Sequence, residues 1–266
     1  MTQIHPTAVI DDKAQLGENV QIGPFCCVGP KVVLGDGVRL ISHVTIAGRT
    51  YIGADVTIYP FASIGHPPQD LKYNGEDSQL IIGDKNTIRE YVTLQPGTAG
   101  GGMVTQIGSN NLFMVASHIA HDCQVGNHVI MANGATLGGH VQVEDHAIIG
   151  GLSAVHQFVR IGAHAIIGGM SGVEHDVIPY GHVKGERANL SGLNLIGLKR
   201  RGFSTAAIQE LRSAYQDLFE STAHPLADRV DAVGEKYAHN ENVMQLVGFI
   251  RQDSPRSLCL PQSAAA

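Results

Sequence analysis

The chain has 266 residues, 43% of them hydrophobic, a formal net charge of −6 and no Trp. That charge argues against a general nucleic-acid binder but leaves room for a local basic patch facing phosphate or an acidic partner. No apolar run reaches the ~18 residues of a membrane span, "MTQIHPTAVIDD" lacks the basic and apolar regions of a signal peptide, and Cys26, Cys27, Cys123 and Cys259 contain no C-x-x-C pair, so a cytoplasmic chain without transmembrane segment or disulfide framework is expected.

From the N-terminus, an aliphatic residue recurs every six positions: Ile4, Ile10, Leu16, Ile22, Val28, Leu34, Leu40, Ile46, Ile52, Ile58 and Ile64. Glycine often follows, as at Gly17, Gly23, Gly29, Gly35, Gly53 and Gly65, which suggests tight turns with positive φ. Four residues after each aliphatic stands a small or β-branched residue, from Ala8 to Ala62. A period of six fits neither a helix nor a single amphipathic strand; it fits short strands separated by turns and stacked as a solenoid.

A polar, turn-rich insertion follows at 66–79, "HPPQDLKYNGEDSQ", and the period resumes at Ile82, Ile88 and Leu94. A second insertion, 96–105, reads "PGTAGGGMVT". The period then returns one residue out of phase, from Ile107 and Phe113 through Ile119 and Val125 to Val173. Loops of this length in a compact repeat point to function.

Within the second run, "SHIAHDCQVGN" places His118, His121 and Asp122 between Ile119 and Val125. With those two aliphatics inward, His121 is expected on the solenoid surface. Asp122 can orient a histidine base, provided that a corner or turn brings neighbouring side chains together. The hexad spacing resembles that of the hexapeptide-repeat β-helices, which implies three hexads, about 18 residues, to each coil of a triangular prism; His121, His140 and His156 are separated by 19 and 16 residues, close enough to suggest a single stripe.

From about 190 the hexad is lost. "STAAIQELRSAYQDLFEST" (204–222) has apolar residues at helical spacing with Ser204 or Thr205 as N-cap, and "PLADRVDAVGEKYA" and "NENVMQLVGFIRQ" predict further helices. Residues 1–189 are expected as prism, 190–266 as a helical domain, and "SPRSLCLPQSAAA" as a frayed terminus.

The ordered set "GPFCCVGP", "QDLKY", "SHIAHDC", "AIIGG", "AVHQF", "IGAH" and "GLKRRGF", over residues 4 to about 220, resembles the UDP-N-acetylglucosamine 3-O-acyltransferases among the hexapeptide-repeat enzymes. The resemblance implies a left-handed parallel β-helix, an exception to the usual handedness of parallel crossovers, followed by a C-terminal helical domain. It implies transfer of a 3-hydroxyacyl chain from acyl carrier protein to the 3-OH of the sugar nucleotide, the first step of lipid A synthesis. It further implies a homotrimer with active sites between subunits, and no metal or other cofactor.

Carried over by matching motif, His121 resembles the general base, with Asp122 beside it, and the Gly139 N–H resembles the oxyanion donor. Gln69, Asp70 and Lys72 resemble sugar and phosphate contacts; His118, His140, His156 and Gln157, contacts to the sugar nucleotide or pantetheine; Asn194, Arg200 and Arg201, contacts to uridine and phosphate. Gly169, with Met170 adjacent, falls where the family's acyl ruler lies and implies a long chain. Lys184, Arg187, Lys199, Arg200 and Arg201 form a basic stretch suited to acidic acyl carrier protein. The sequence departs from the family at Ile196, where relatives often carry an acidic residue, and in the wording of both insertions. Alternatives are amide formation on a 3-amino sugar nucleotide, a β-helical zinc carbonic anhydrase using His118 and His121, and a non-catalytic scaffold.

Overall fold

The computed structural model describes residues 1–221 and 224–262. From Gln3 to Val173 most hexads form a two-residue strand ending on the repeat's aliphatic, as in Gln21–Ile22, Thr57–Ile58 and His118–Ile119. Successive strands turn onto three faces in rotation. Parallel ladders join residues 18 apart, Gln3 to Gln21 and Thr136 to Ala154. The result is a three-sided prism with sheets of eleven, nine and eight strands, the first, second and third faces in the order the chain meets them.

The aliphatics fill the interior as columns. On the first face Ile22, Leu40, Ile58, Ile88, Phe113, Met131, Ile149 and Ile167 are each 2% exposed or less. Burial of this kind stabilises by about 1.5–3 kcal/mol per side chain. Only the first coil is open, with Ile4 49% exposed.

The insertions explain the phase. Across the first, Thr57 pairs with Thr87, 30 positions on and so 12 beyond one coil; that is two hexads, and the period survives. Across the second, Thr87 pairs with Leu112, 25 on and 7 beyond a coil, which shifts the period by one residue. Strands resume at Gln79 and Val104, slightly earlier than the sequence suggests.

The glycines after each aliphatic do not serve positive φ, with the exception of Gly65. Gly17, Gly23, Gly29, Gly35 and Gly53 have ordinary backbones and lie where the next coil passes; a Cβ on Gly23 would fall 1.8 Å from the Ile41 carbonyl oxygen. The left-handed corners are mostly occupied by residues with side chains, such as Asn19, Asp55, Asp122 and His140. Each coil holds these strained corners through hydrogen bonds to the coil beside it, as from the His140 N–H to the His121 carbonyl. Their side chains stack along the prism edges. His128, His146 and His164 lie ring on ring at 4.7 and 4.8 Å, and Tyr180 continues the column at 5.6 Å.

Beyond the prism an antiparallel hairpin, Gly181–Lys184 with Asn189–Leu193, extends the first face across the point where the sequence predicts helix. Helices α1 (Leu195–Arg200), α2 (Thr205–Phe219), α3 (Leu226–Lys236) and α4 (Glu241–Arg251) follow. Ser204 caps α2 by accepting from the Ala207 N–H, as its position predicts. The predicted end of this helix at Thr222 lies outside the described residues. The final segment is not frayed as far as Leu260: Leu258 bridges to Asp176, and the Leu190 N–H donates to the Leu260 carbonyl. The rest of the segment, 263–266, lies outside the described residues.

Burial, followed by the charges of His146 and Arg201, pushes His164 from 6.5 to about 4. Between those values the unfolded chain binds more protons than the folded one. Stability is therefore complete above pH ~6.5 and declines as pH falls toward 4. Thermal unfolding followed from pH 7 to pH 5 should show a falling midpoint, and His164→Gln should flatten part of that fall.

Candidate active site

His121 and Asp122 occupy the corner between the second and third faces. Ile119 and Val125 point inward, at 0% and 4% exposure. The turn between them sets Asp122 at φ 60°, and this brings its carboxylate beside the preceding ring. His121 Nδ1 lies 2.8 Å from Asp122 Oδ2. Thr98, from the second insertion, donates its N–H to Oδ1 at 2.8 Å and its hydroxyl to Oδ2 at 2.6 Å. The Asp122 N–H donates to Thr105 Oγ1 at 2.7 Å. An ionised carboxylate only accepts, so the His121 proton sits on Nδ1 and the Nε2 lone pair is left for chemistry.

The pair is buried rather than surface-lying, at 7% and 5% exposure. The second insertion covers it with a short turn of helix, Ala99–Gly101, and a Cβ on Gly101 would meet the Asp122 carboxylate carbon at 2.0 Å.

Gly139 lies one coil beyond His121. A Cβ there would lie 2.5 Å from His121 Cε1 and 2.7 Å from Nε2, so a side chain would displace the ring. The Gly139 N–H has no acceptor among the described residues. His140 meets His121 edge-on at 5.1 Å and stacks on Phe158 at 4.3 Å. His118 Nδ1 lies 2.6 Å from Thr93 Oγ1. Burial lowers the pKa of both His118 and His140.

His156 is not in this stripe. One coil is 18 residues, so intervals of 19 and 16 step sideways, and the ring under His140 is Phe158. His156 and Gln157 instead extend the neighbouring columns of Gly138 and Gly139. A Cβ on Gly138 would lie 3.2 Å from Gln157 Cγ. The first insertion reaches the same edge: the Asp70 charge, after that of Asp122, offsets a little of the burial that lowers the His140 pKa, Asp70 Oδ1 accepts from the Lys72 N–H at 3.0 Å, and the Gln69 N–H contacts Gln95 Oε1 at 3.4 Å.

The other predicted residues lie elsewhere on the prism. Asn194, Arg200 and Arg201 line a cavity of about 600 Å³ beside the histidine column, where Asn194 Nδ2 donates to the His164 carbonyl and Arg201 Nη2 to the His146 carbonyl. Ile196 also lines it, 67% exposed. Gly169 borders a third cleft with Lys184, Arg187 and Tyr215, and Met170 is 75% exposed rather than intruding. Arg187 is paired with Glu174 at 2.9 Å, which weakens its part in a basic patch, while Lys199 and Arg200 end α1.

The reading from sequence missed Thr98, Thr105 and Phe158. Phe158 was accessible from exact 18-residue register; the two threonines were not, because a loop outside the repeat carries no register. Donor atoms of His121, Asp122 and His140 lie within 4.8 Å of one another. Both carboxylate oxygens, however, already accept from Thr98 or His121, an arrangement that orients a histidine better than it ligates a metal.

A hexad prism with a carboxylate-oriented histidine at its corner is the framework of a hexapeptide-repeat transferase. Residues 13–48 and 105–139 match the bacterial transferase hexapeptide model, and 176–259 match that of UDP-N-acetylglucosamine O-acyltransferase, domain 2. The acyl-[acyl-carrier-protein]–UDP-N-acetylglucosamine O-acyltransferase of Rickettsia canadensis is 57% identical, with 97% of each chain covered. That of Caulobacter vibrioides is 56% identical over 97% of this chain and 98% of its own. A crystal structure of UDP-N-acetylglucosamine acyltransferase superimposes with TM-score 0.94 at 42% identity, covering 98% of this chain and 100% of that one. The chain belongs to the UDP-N-acetylglucosamine O-acyltransferase family, and its prism is the left-handed parallel β-helix of that family.

Thr98→Val deletes one of three donors to a buried carboxylate. Chemical denaturation should show a loss of about 1–3 kcal/mol, with less change for Thr98→Ser.

Proposed function

We propose that the chain moves a (R)-3-hydroxyacyl group from acyl carrier protein to the 3-OH of UDP-N-acetylglucosamine, in the cytoplasm, as the first step of lipid A synthesis. The observation that carries this reading is the Asp122-oriented His121 packed against Gly139 of the next coil, whose N–H has no acceptor among the described residues.

His121 Nε2 takes the proton of the 3-OH as its oxygen attacks the thioester carbonyl. The Gly139 N–H donates to the oxyanion that forms. Collapse breaks the C–S bond, and the imidazolium returns its proton to the departing pantetheine thiolate. Asp122 holds the tautomer and offsets the imidazolium charge. Asp70, Lys72 and Gln69 bind sugar and phosphate from the first insertion, with His118, His140, His156 and Gln157 along the same edge. Asn194, Arg200 and Arg201 bind uridine and phosphate, and Gly169 leaves room for a long acyl chain. Lys184, Lys199 and Arg200 steer the acidic carrier protein. The donor is the co-substrate, and no metal or other cofactor enters this scheme.

These groups occupy three different edges of one prism, a spread no single small substrate spans. A homotrimer, with one subunit's catalytic edge facing a neighbour's nucleotide cavity, would unite them. Among the described residues no helix is long and apolar enough to cross a membrane.

The test is transfer from 3-hydroxymyristoyl acyl carrier protein to UDP-N-acetylglucosamine. His121→Ala should lower the rate about 10²–10⁴-fold with the oligomer unchanged in size. Retained activity would remove His121 as the base. A wild type that acylates only a 3-amino sugar nucleotide would make the product an amide.

A further inference from the structure

The segment after α4 returns to the prism and is held there at both ends. Arg160, itself buried, donates from its backbone N–H and Nε to the two oxygens of Asp176, at 2.8 and 2.7 Å, and from Nη1 to Gln252 Oε1 at 2.7 Å. Beyond this anchor the Asp176 N–H donates to the Ser257 carbonyl and the Cys259 N–H to the Asp176 carbonyl. Arg256 lies between these fixed points. Its Nη2 contacts His156 Nδ1 at 2.6 Å, and its Nε donates to the Gln157 carbonyl at 3.0 Å.

A guanidinium has five donors, no acceptor, and keeps its protons. His156 Nδ1 must therefore accept, and the ring must be neutral with its proton on Nε2. A competing contact exists: His156 Nδ1 also lies 3.3 Å from the Gln157 carbonyl, and bonding there would require the opposite tautomer. The shorter, charge-assisted contact prevails, and Arg256 Nε occupies the same carbonyl that would have rewarded the alternative.

We propose that Arg256 is a positioning residue that locks His156 in the Nε2–H tautomer, so that the exposed ring presents a hydrogen-bond donor to an oxygen of the bound sugar nucleotide, one coil beyond Gly138 and beside the column of Gly139. This rests on the reading of His156 as a substrate contact. Arg256 touches no substrate itself; it acts through the ring and through the Gln157 carbonyl. Without it, the Gln157 carbonyl captures the proton on Nδ1, and Nε2 presents a lone pair that faces the substrate's own lone pairs.

The tautomer is read directly from the imidazole ¹⁵N resonances of histidine-labelled enzyme, with His156→Gln to assign the signal. In the wild type His156 should show Nε2 protonated and Nδ1 accepting; in Arg256→Ala the proton should move substantially to Nδ1. Steady-state kinetics should show KM for the sugar nucleotide raised about tenfold, the scale of one lost hydrogen bond to a charged ligand, with kcat within about twofold. Arg256→Lys, which keeps one donor to Nδ1, should restore the tautomer and part of KM. Combining Arg256→Ala with His156→Ala should add nothing to His156→Ala alone. An unchanged tautomer in Arg256→Ala, or an additive double variant, overturns the proposal. If His156→Ala leaves KM unchanged, the reading of His156 as a substrate contact fails, while the resonances still decide whether Arg256 sets the tautomer.

Discussion

Everything in this molecule depends on vertical register. Each coil lies on the next with partners 18 residues apart, so a side chain's neighbours are dictated by counting. The aliphatic columns satisfy the apolar interior, and the carbonyls of one coil take the N–H groups of the one before it. The corners then have no freedom, and residues with side chains are held in left-handed backbone conformations that isolated peptides avoid. The stacked rings at the edges follow from this: one left-handed corner above another aims successive side chains in the same direction.

The candidate site exploits that rigidity. On a straight strand, His121 and Asp122 would diverge. The corner converts sequence neighbours into a hydrogen-bonded pair, and the carboxylate is further saturated by Thr98. Saturation matters because a buried carboxylate with spare lone pairs would recruit protons or water rather than one ring. Gly139 completes the arrangement by its lack of a side chain, since any Cβ would occupy the place of the imidazole.

How far this was readable in the sequence varies with distance from the repeat. The period of six exposed the prism, its inward residues and both interruptions, and the phase slip after the second loop was visible before the structure accounted for it. The His121–Asp122 pair was also legible, including its need for a corner. Its burial was not, because the cover comes from residues 96–103, whose path no periodicity describes. His156 was misplaced by treating 16 and 19 as equivalent to 18, in a fold where one residue changes the column. The hairpin at 181–193 escaped because its antiparallel return has no hexad signature. The docked C-terminal segment escaped because its partners, Asp176 and His156, lie about 80 to 100 residues away in sequence.

Both insertions leave the prism after a strand of the second face and rejoin at the third: the first between Ser63–Ile64 and Gln79–Ile82, the second between Thr93–Leu94 and Val104–Ile107. One coil later the same edge carries His121 and Asp122. A residue gained or lost inside a hexad would turn part of a coil inside out, whereas a loop at a corner absorbs any number and hands the chain back in register. The prism thus has one edge at which length is a free variable, and the candidate site sits on it. The two loops can be lengthened, shortened or reworded, and the cover over His121 and Asp122 reshaped with them, while every coil beneath stays as it is.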